Sequence, residues 1–198
     1  PGAPVILNRY IDHLQKRAII PRLSRLKGSA ALDVGTGIGR WARALSDNFE
    51  FVVGMDVSRE MTRVAKRRLR ETHADVVVAA AHAMPFRSGS MDLVLSCTCL
   101  QHIPEEEKQL RSIREIARIA KNTIIILELM YGSKKTRLIH YPTLVVPRAQ
   151  YVSTLLDRGV KTVEEFGVDF LPFVKLLENF RNLLLDKFSI DVPSYGGT

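Results

Sequence analysis

Apolar and polar positions along the chain follow a pattern that switches repeatedly between the spacing of a strand and that of a helix. Short apolar runs predict buried strands, and apolar residues three or four positions apart predict amphipathic helices. The predicted strands cover 30–34, 51–55, 75–79, 92–96, 123–130 and 160–166. The predicted helices cover 5–20, 40–46, 60–70, a segment opening at Pro104, 148–158 and a last segment from Phe173 to Phe188.

The alternation of strands with helices predicts an α/β fold. Helical crossovers join parallel strands, so helices would cover both faces of a doubly wound, mostly parallel sheet in a three-layer α/β/α arrangement. A chain of 198 residues has the size of one domain, and we predict a single domain over 1–198. Because ligands of such sheets bind beyond the carboxyl ends of the strands, candidate chemistry is expected where strands end.

Composition narrows the choice of partners and setting. Lys and Arg outnumber Asp and Glu by 29 to 21, a net charge of +8 that favours anionic partners. The longest apolar run, 123–130, is far shorter than the roughly 20 residues that span a bilayer, and no signal peptide is visible, so we expect no membrane span. Cys97 and Cys99 are too close for an unstrained disulfide and lack the partners of a zinc site. We therefore expect no metal and a reducing, cytoplasmic setting.

A glycine-rich loop follows the first predicted strand. The segment 33–39 reads Asp-Val-Gly-Thr-Gly-Ile-Gly, and alternate glycines permit a tight turn and close approach of the backbone to a ligand. The spacing differs from the dinucleotide fingerprint, which needs two residues between its last glycines. Asp56 ends the second strand, 21 positions after Gly35, where a carboxylate can accept both hydroxyls of a ribose. A merely tight turn and a helix cap at Asp56 are the alternatives.

The combination of D-x-G-x-G-x-G with the later Gly-x-Asp resembles the class I methyltransferases that use S-adenosylmethionine, and in particular their small-molecule, type 11 members. The resemblance continues through 83–94, which looks like the segment leading from the adenine-binding loop into the fourth strand, and through 100–103. It covers 26–130 and implies a Rossmann-like sheet of seven strands with one antiparallel. Six strands are clear in this sequence, and 187–192 is a poor candidate for the seventh.

The resemblance also implies a set of residues around S-adenosylmethionine. By position these are Tyr10, Arg17, Asp33, Gly35, Gly37, Gly39, Asp56, Val57, Met61, His82, Ala83, Met84 and Cys97. Asp33 would orient the amino end of the cofactor, and Asp56 would hold the ribose. His82 stands where many relatives have an aspartate that accepts from the adenine amino group. The first helix, within 1–25, would close over the cofactor.

Methyl transfer requires an acceptor aligned with the methyl carbon, and often a group that takes a proton. His102 is the candidate for that group, since an imidazole titrates near neutral pH; its alternative is a cap for the helix opening at Pro104. Glu128 is a candidate for binding the acceptor, or else a carboxylate bonded to nearby backbone. The loop 131–150 would build the acceptor pocket. Its candidate residues are Tyr131, His140 and Tyr141.

The sequence therefore predicts a methyltransferase that acts on an oxygen, nitrogen or carbon atom of a small molecule, as a monomer or a homodimer. An RNA or protein methyltransferase is one alternative, with Lys134, Lys135 and Arg137 as a docking surface. Against nucleic acid, the fourth strand lacks the Asn or Asp followed by Pro-Pro and an aromatic residue that is typical of amino-group base methyltransferases. The basic residues of 63–70 are interpreted as a solvated helix face. A non-catalytic binding module with the same fold is the other alternative.

Overall fold

A computed structural model describes residues 5–128, 136–137 and 144–161. The helices are α1 (Val5–Leu23), α2 (Arg40–Leu45), α3 (Arg59–Arg68), α4 (Glu106–Ile119) and α5 (Arg148–Leu156), with a 3-10 helix at Leu100–His102. The strands are β1 (Gly28–Val34), β2 (Phe49–Asp56), β3 (Ala74–Val78), β4 (Met91–Cys97), β5 (Ala120–Leu127), β6 (Thr136–Arg137) and β7 (Leu144–Val145). No helix in these ranges is long and apolar enough to cross a bilayer.

Five strands form one parallel sheet in the order β3-β2-β1-β4-β5. The chain moves outward from β1 to β3, then returns to β4 on the other side of β1, so the direction of winding reverses between β1 and β4. Right-handed crossovers therefore put α2 and α3 on one face and α4 on the other. The predicted doubly wound, three-layer fold is confirmed. Its reversal point opens a crevice at the carboxyl ends of β1 and β4.

The face under α4 is a continuous apolar core. Leu32 and Val34 of β1 and Val53 of β2 pack with apolar residues of α4 and α5. The α4 and α5 residues in this cluster are Ile113, Ile116, Ile119 and Tyr151. On α4 the buried isoleucines recur at every third position, because every third or fourth side chain of a helix points to the same side.

Of the boundaries that differ from the sequence prediction, two adjoin α4. The helix predicted to open at Pro104 begins at Glu106, because Glu105 has the extended backbone of an N-cap, with φ −102° and ψ 122°. The strand predicted over 123–130 begins at Ala120, directly after α4 and without a loop. The predicted strand 160–166 reaches the described residues only at 160–161, which form no strand, and the predicted last helix lies outside them.

The chain divides into two compact units, one of residues 20–164 and one of residues 1–19 with 165–198. The sheet, its helices α2 to α5 and the glycine loop all belong to the first unit. The second unit contributes most of α1, in which Lys16 Nζ pairs with Asp12 Oδ2 at 2.7 Å. The single domain over 1–198 stays a prediction.

Asp92 joins three strands at the amino-terminal edge of the sheet. Its Oδ2 accepts from the backbone N–H groups of Ser29 at 2.9 Å and Ala30 at 3.2 Å, and its Oδ1 accepts from Asn122 Nδ2 at 3.0 Å. A Cβ on Gly28 would lie 2.8 Å from Asp92 Cβ, so the strands approach closely here. The hydrogen bond from Ala30 holds the pKa of Asp92 below its usual value of 3.8.

We expect Asp92→Asn to lower the free energy of unfolding by about 1–2 kcal/mol at neutral pH, since it weakens charge-assisted hydrogen bonds in a side chain that is 16% exposed. A depressed pKa means that the carboxylate stabilises the fold above pH 3.8 and loses that effect as the pH falls through its lower folded value. Urea titrations should therefore show the gap between variant and wild type closing in strong acid. Asp47→Asn, at an exposed position with the same charge change, is the control; an equal loss there would contradict the account.

Candidate functional site

The glycine loop between β1 and α2 needs its glycines for two different reasons. Gly35, Gly37 and Gly39 all have positive φ, at 72°, 54° and 83°. A Cβ on Gly35 would lie 2.2 Å from Cys99 Sγ, and one on Gly39 would lie 3.1 Å from Leu69 Cδ1. A Cβ on Gly37 would have no described atom within 4 Å. Gly35 and Gly39 are therefore required by packing, whereas Gly37 borders open space from which a ligand can reach the backbone.

The end of β2 holds this loop in place. The N–H groups of Gly35 and Thr36 donate to the carbonyl oxygen of Met55 at 2.8 and 2.9 Å, and the Gly37 N–H donates to Asp56 Oδ2 at 2.9 Å. Asp56 Oδ1 accepts from the Ser58 N–H at 2.9 Å. Each carboxylate oxygen has more than one lone pair, so Asp56 retains capacity to accept from a ligand diol at the loop.

Ser58, not Asp56, caps α3. The Ser58 hydroxyl accepts from the Met61 N–H at 3.2 Å, the contact expected of an N-cap. The alternative interpretation of Asp56 as the helix cap is therefore wrong. Val57 and Met61 beside it are 73% and 45% exposed, which leaves apolar side chains open to a flat apolar ring.

Asp33 lies beneath the loop and is buried. Its Oδ2 accepts from Thr36 Oγ1 at 2.6 Å and from the Ala42 N–H at 2.9 Å, so it ties the loop to the start of α2. Burial raises the pKa of Asp33 to about 6, against the opposing effects of these hydrogen bonds and of the Arg40 charge. The Asp33 carboxylate is therefore protonated as the pH falls through about 6.

The loop 79–90, predicted to contact adenine, is held by an ion pair on α4. Glu115 Oε2 accepts from the Met84 N–H at 3.0 Å, while Arg118 donates to the carbonyl oxygens of Phe86 at 2.8 Å and Met84 at 3.3 Å. Arg118 also pairs with both oxygens of Glu115, at 2.7 and 2.8 Å, which lowers the pKa of Glu115. The Met84 side chain is buried, Ala83 is exposed and His82 is half-buried.

The end of β4 is a bent segment that faces the glycine loop. Thr98 has φ 52°, a rare conformation for a β-branched residue, and Cys99 follows with φ −108° and ψ −54°. Burial raises the pKa of Cys97 to about 12 and that of Cys99 well above 9. Both thiols are therefore protonated at neutral pH, which argues against a cysteine nucleophile at this edge.

Glu128, just after β5, fills the anion-binding concavity that this bend creates. Its Oε1 accepts from the N–H groups of Cys99 at 2.9 Å and Leu100 at 3.0 Å and from Ser96 Oγ at 3.1 Å, and its Oε2 accepts from the Gln101 N–H at 3.3 Å. Burial raises the pKa of Glu128, against the effect of these backbone donors. Successive N–H groups in a left-handed and then right-handed turn converge on one anion. Of the two alternatives for Glu128, the structure favours bonding to the backbone; binding of an acceptor stays a prediction.

His102 ends the 3-10 helix that Glu128 caps, and its own N–H donates to the Cys99 carbonyl oxygen at 3.1 Å. The residue is exposed, and partial desolvation of its ring lowers the pKa below 6.5, so the imidazole is neutral at neutral pH and can accept a proton. The N-cap of α4 is Glu105, so His102 does not cap that helix.

Comparisons with known proteins agree with this geometry. Residues 32–126 match a family model described as a methyltransferase domain. The chain belongs to the class I S-adenosylmethionine-dependent methyltransferases. The predictions of family, fold class and cofactor are therefore confirmed.

Named methyltransferases are among the relatives. The chain is 33% identical over 175 residues to phosphoethanolamine N-methyltransferase 2 of Caenorhabditis elegans, an alignment covering 85% of this chain and 39% of that protein. It is 34% identical over 133 residues to ajmaline N-methyltransferase of Rauvolfia serpentina, covering 64% of this chain and 45% of that protein. The solved structure of phosphoethanolamine N-methyltransferase 2 of Haemonchus contortus in complex with S-adenosyl-L-methionine superposes with a TM-score of 0.66 at 27% identity, covering 88% of this chain and 43% of that one. The chain thus spans less than half the length of each of these relatives.

Several site residues of this methyltransferase were not found from the sequence. The sequence analysis assigns no site role to Glu115 or Arg118, although their spacing of three on a helix permits an ion pair. Gln109 is buried and its Nε2 donates to the carbonyl oxygens of Ile103 and Leu144, both at 2.8 Å, which joins the end of the 3-10 helix to the predicted acceptor loop. The contacts of Gln109 with Leu144 and of Arg118 with Phe86 join residues more than 30 positions apart, so no local sequence pattern predicts them.

Seven residues with a predicted role lie outside the described part of the unit that contains the sheet. Tyr131, His140 and Tyr141 lie outside the described residues, as do Lys134 and Lys135. Tyr10 and Arg17 lie on α1 within the unit of residues 1–19. Their roles stay predictions. Among the described residues, no group of His, Cys, Asp and Glu is arranged to hold a metal ion.

Proposed function

We propose that this protein transfers a methyl group from S-adenosylmethionine to a nitrogen, oxygen or carbon atom of a small molecule. The observation that carries the proposal is the open side of Gly37 beside the Asp56 carboxylate, because a backbone approach and a diol acceptor there fit the two ends of an aminoacyl nucleoside. Two relatives are named as N-methyltransferases of small molecules, which favours nitrogen among the three acceptor atoms.

Different described residues would contact different parts of the cofactor. Asp56 would accept from the ribose hydroxyls, and the exposed Val57 and Met61 would contact the adenine, opposite Ala83 of the loop braced by Arg118. The alanines that follow β3, at 79–81, offer no side-chain acceptor for the adenine amino group, so His82 or backbone would serve. Cys97 would lie beneath the sulfonium, with its thiol protonated.

The acceptor side is supported by His102 and by the rigid turn before it. S-adenosylmethionine supplies an electrophilic methyl carbon on its sulfonium. His102, neutral at neutral pH, would take the proton that an amine or hydroxyl acceptor loses. Glu128 would fix the turn that carries His102 by accepting from three successive N–H groups. A reducing cytoplasmic setting, with two free thiols, and a monomeric or homodimeric state complete the proposal.

Methyl transfer from labelled cofactor tests this proposal. Incubation with tritiated S-adenosylmethionine and a panel of primary amines, phenols and short-chain alcohols should place label in a low-mass product, with amines labelled fastest. Label found only in RNA or only in protein would replace the small-molecule proposal by one of those acceptors. Saturable cofactor binding without label in any fraction of a cell extract would instead indicate a binding module.

We expect cofactor binding to weaken as the pH falls through about 6, because Asp33 must be ionised to attract the cofactor ammonium. In wild type, the affinity for S-adenosylhomocysteine should therefore rise with pH up to about 7 and then level off. The variant Asp33→Asn should bind more weakly and lose this dependence. Titration calorimetry across the pH range measures both; a pH profile that Asp33→Asn leaves unchanged would remove Asp33 from the amino-end role.

A further inference from the structure

The basic surplus of the chain is concentrated at one helix. Residues 59–70, which are α3 and the two residues after it, carry six Lys or Arg residues and one Glu, in a protein whose net charge is +8. Helix α1 carries four basic residues and one acidic residue, and α4 carries four basic and three acidic residues. The field of the protein is therefore strongly asymmetric, and an anion would be drawn toward α3.

Beside α3 lies a trough that these charges line. Two cavities of about 390 and 460 Å³ run between α3 and the edge strand β3, and both include Arg63 and Lys66, so they adjoin. Ala74, Asp75, Val76 and Val78 of β3 form one side of this α3–β3 trough, where the Asp75 carboxylate accepts from the Val76 N–H. It exists because β3 is the outermost strand of the described sheet and α3 packs over β2 as well as β3.

The cations of the trough are exposed, and within the described part of the chain none of their charged side chains makes a hydrogen bond or ion pair. They are Arg59, Arg63, Lys66, Arg67 and Arg70. Their spacing puts about one cation on each helical turn along roughly 16 Å. A row of uncompensated like charges beside a concave surface costs free energy in the free protein, and that cost is relieved when counter-charges bind.

The shape and chemistry of the trough select among anionic partners. A bilayer surface is flat and cannot enter it. A peptide added as a strand to β3 would need its outward N–H groups, but the Val76 N–H already donates to Asp75 Oδ1 at 2.7 Å. Four of the five cations are arginines, whose planar fork matches phosphate oxygens in pairs. A repeating phosphodiester chain fits a repeating row of guanidinium groups.

We propose that the α3–β3 trough binds the phosphate backbone of a nucleic acid. No aromatic side chain lines it, so bases are not stacked and binding is independent of sequence. This surface lies outside the candidate methyl-transfer site, and the proposal stands whether the methyl acceptor is a small molecule or not. It revises the interpretation of 63–70 as a merely solvated face.

Fluorescence anisotropy with a labelled poly(U) oligonucleotide tests the proposal on the full chain. Wild type should bind with an affinity that falls steeply as salt is raised. The double variant Arg63→Glu with Lys66→Glu should bind at least about tenfold more weakly at low salt, and its salt dependence should be shallower by about two counterions. The matched control reverses the same charge on α4, Arg111→Glu with Arg114→Glu, and should stay within about twofold of wild type.

Retention of S-adenosylhomocysteine binding by both double variants shows that each is folded. Equal losses in the two double variants, or no binding by wild type at low salt, would overturn the proposal. Tighter binding of poly-glutamate than of poly(U) would assign the trough to an acidic protein instead. Preferential binding to phosphatidylserine vesicles, lost in the Arg63 and Lys66 variant, would assign it to a membrane surface, and would equally overturn it.

Discussion

Replacing Glu128 by alanine is expected to lower the free energy of unfolding by about 2–4 kcal/mol, a larger loss of stability than the one expected for Asp92→Asn. Glu128 is the common acceptor for three successive backbone N–H groups and the buried Ser96 hydroxyl. Alanine removes that acceptor and leaves donors unpaired at a half-buried turn. Because Thr98 is held at φ 52° in the same turn, the strained backbone is expected to relax once its partner is gone.

Urea unfolding of the full chain measures this loss. The control is Glu107→Ala, which removes an exposed glutamate from the first turn of α4 and should change stability by no more than about 0.5 kcal/mol. If Glu128→Ala were as stable as Glu107→Ala, the turn would not depend on the carboxylate. The proposed support for His102 would then fail with it.

The second large effect is expected at Asp56. Its replacement by alanine should weaken binding of S-adenosylhomocysteine by about tenfold to a hundredfold, since charge-assisted hydrogen bonds of about 1.5–3 kcal/mol to the ribose hydroxyls are lost. The affinity of Asp56→Asn should fall between those of wild type and Asp56→Ala, because the amide oxygen can accept from one hydroxyl whereas the amide NH₂ group cannot accept.

Two controls accompany the Asp56 variants. Glu60→Ala removes a neighbouring negative charge from the first turn of α3 and should leave the affinity within about twofold. The Asp56 carboxylate also accepts from the Gly37 N–H, so Asp56→Ala removes a contact that holds the loop. Circular dichroism is therefore used to check that this variant keeps its helices. An affinity of Asp56→Ala equal to that of wild type, in a folded variant, would reject the ribose role.

The parts of this fold that the sequence predicts are those fixed by local spacing. The glycines of the loop were identified because a turn at positive φ requires glycines close together in the sequence. Asp56 was identified because it directly follows the apolar run of a strand. The doubly wound, mostly parallel sheet followed from the alternation of strands with helices, whereas the order of its strands was not predicted. Pro104 is predicted to open its helix because proline suits a first turn, whereas the extended backbone of Glu105 delays the start of α4 to Glu106.

The parts that the sequence does not predict depend on contacts between distant segments. Glu128 accepts from residues 27 to 32 positions away, and Arg118 binds carbonyl groups 32 and 34 positions away. A lone charge in a strand or on a helix has the same local pattern whether it meets solvent or backbone. The sequence does not predict the α3–β3 trough either, because the trough depends on β3 being the outermost strand of the described sheet.

The binding of one aminoacyl nucleoside at the crevice between β1 and β4 is the claim on which the account rests. Calorimetric titration of the full chain with S-adenosylhomocysteine at neutral pH measures it without a known methyl acceptor. The account predicts a saturable isotherm with one molecule bound per chain. A flat isotherm up to millimolar ligand, from protein whose circular dichroism shows it to be folded, would contradict it.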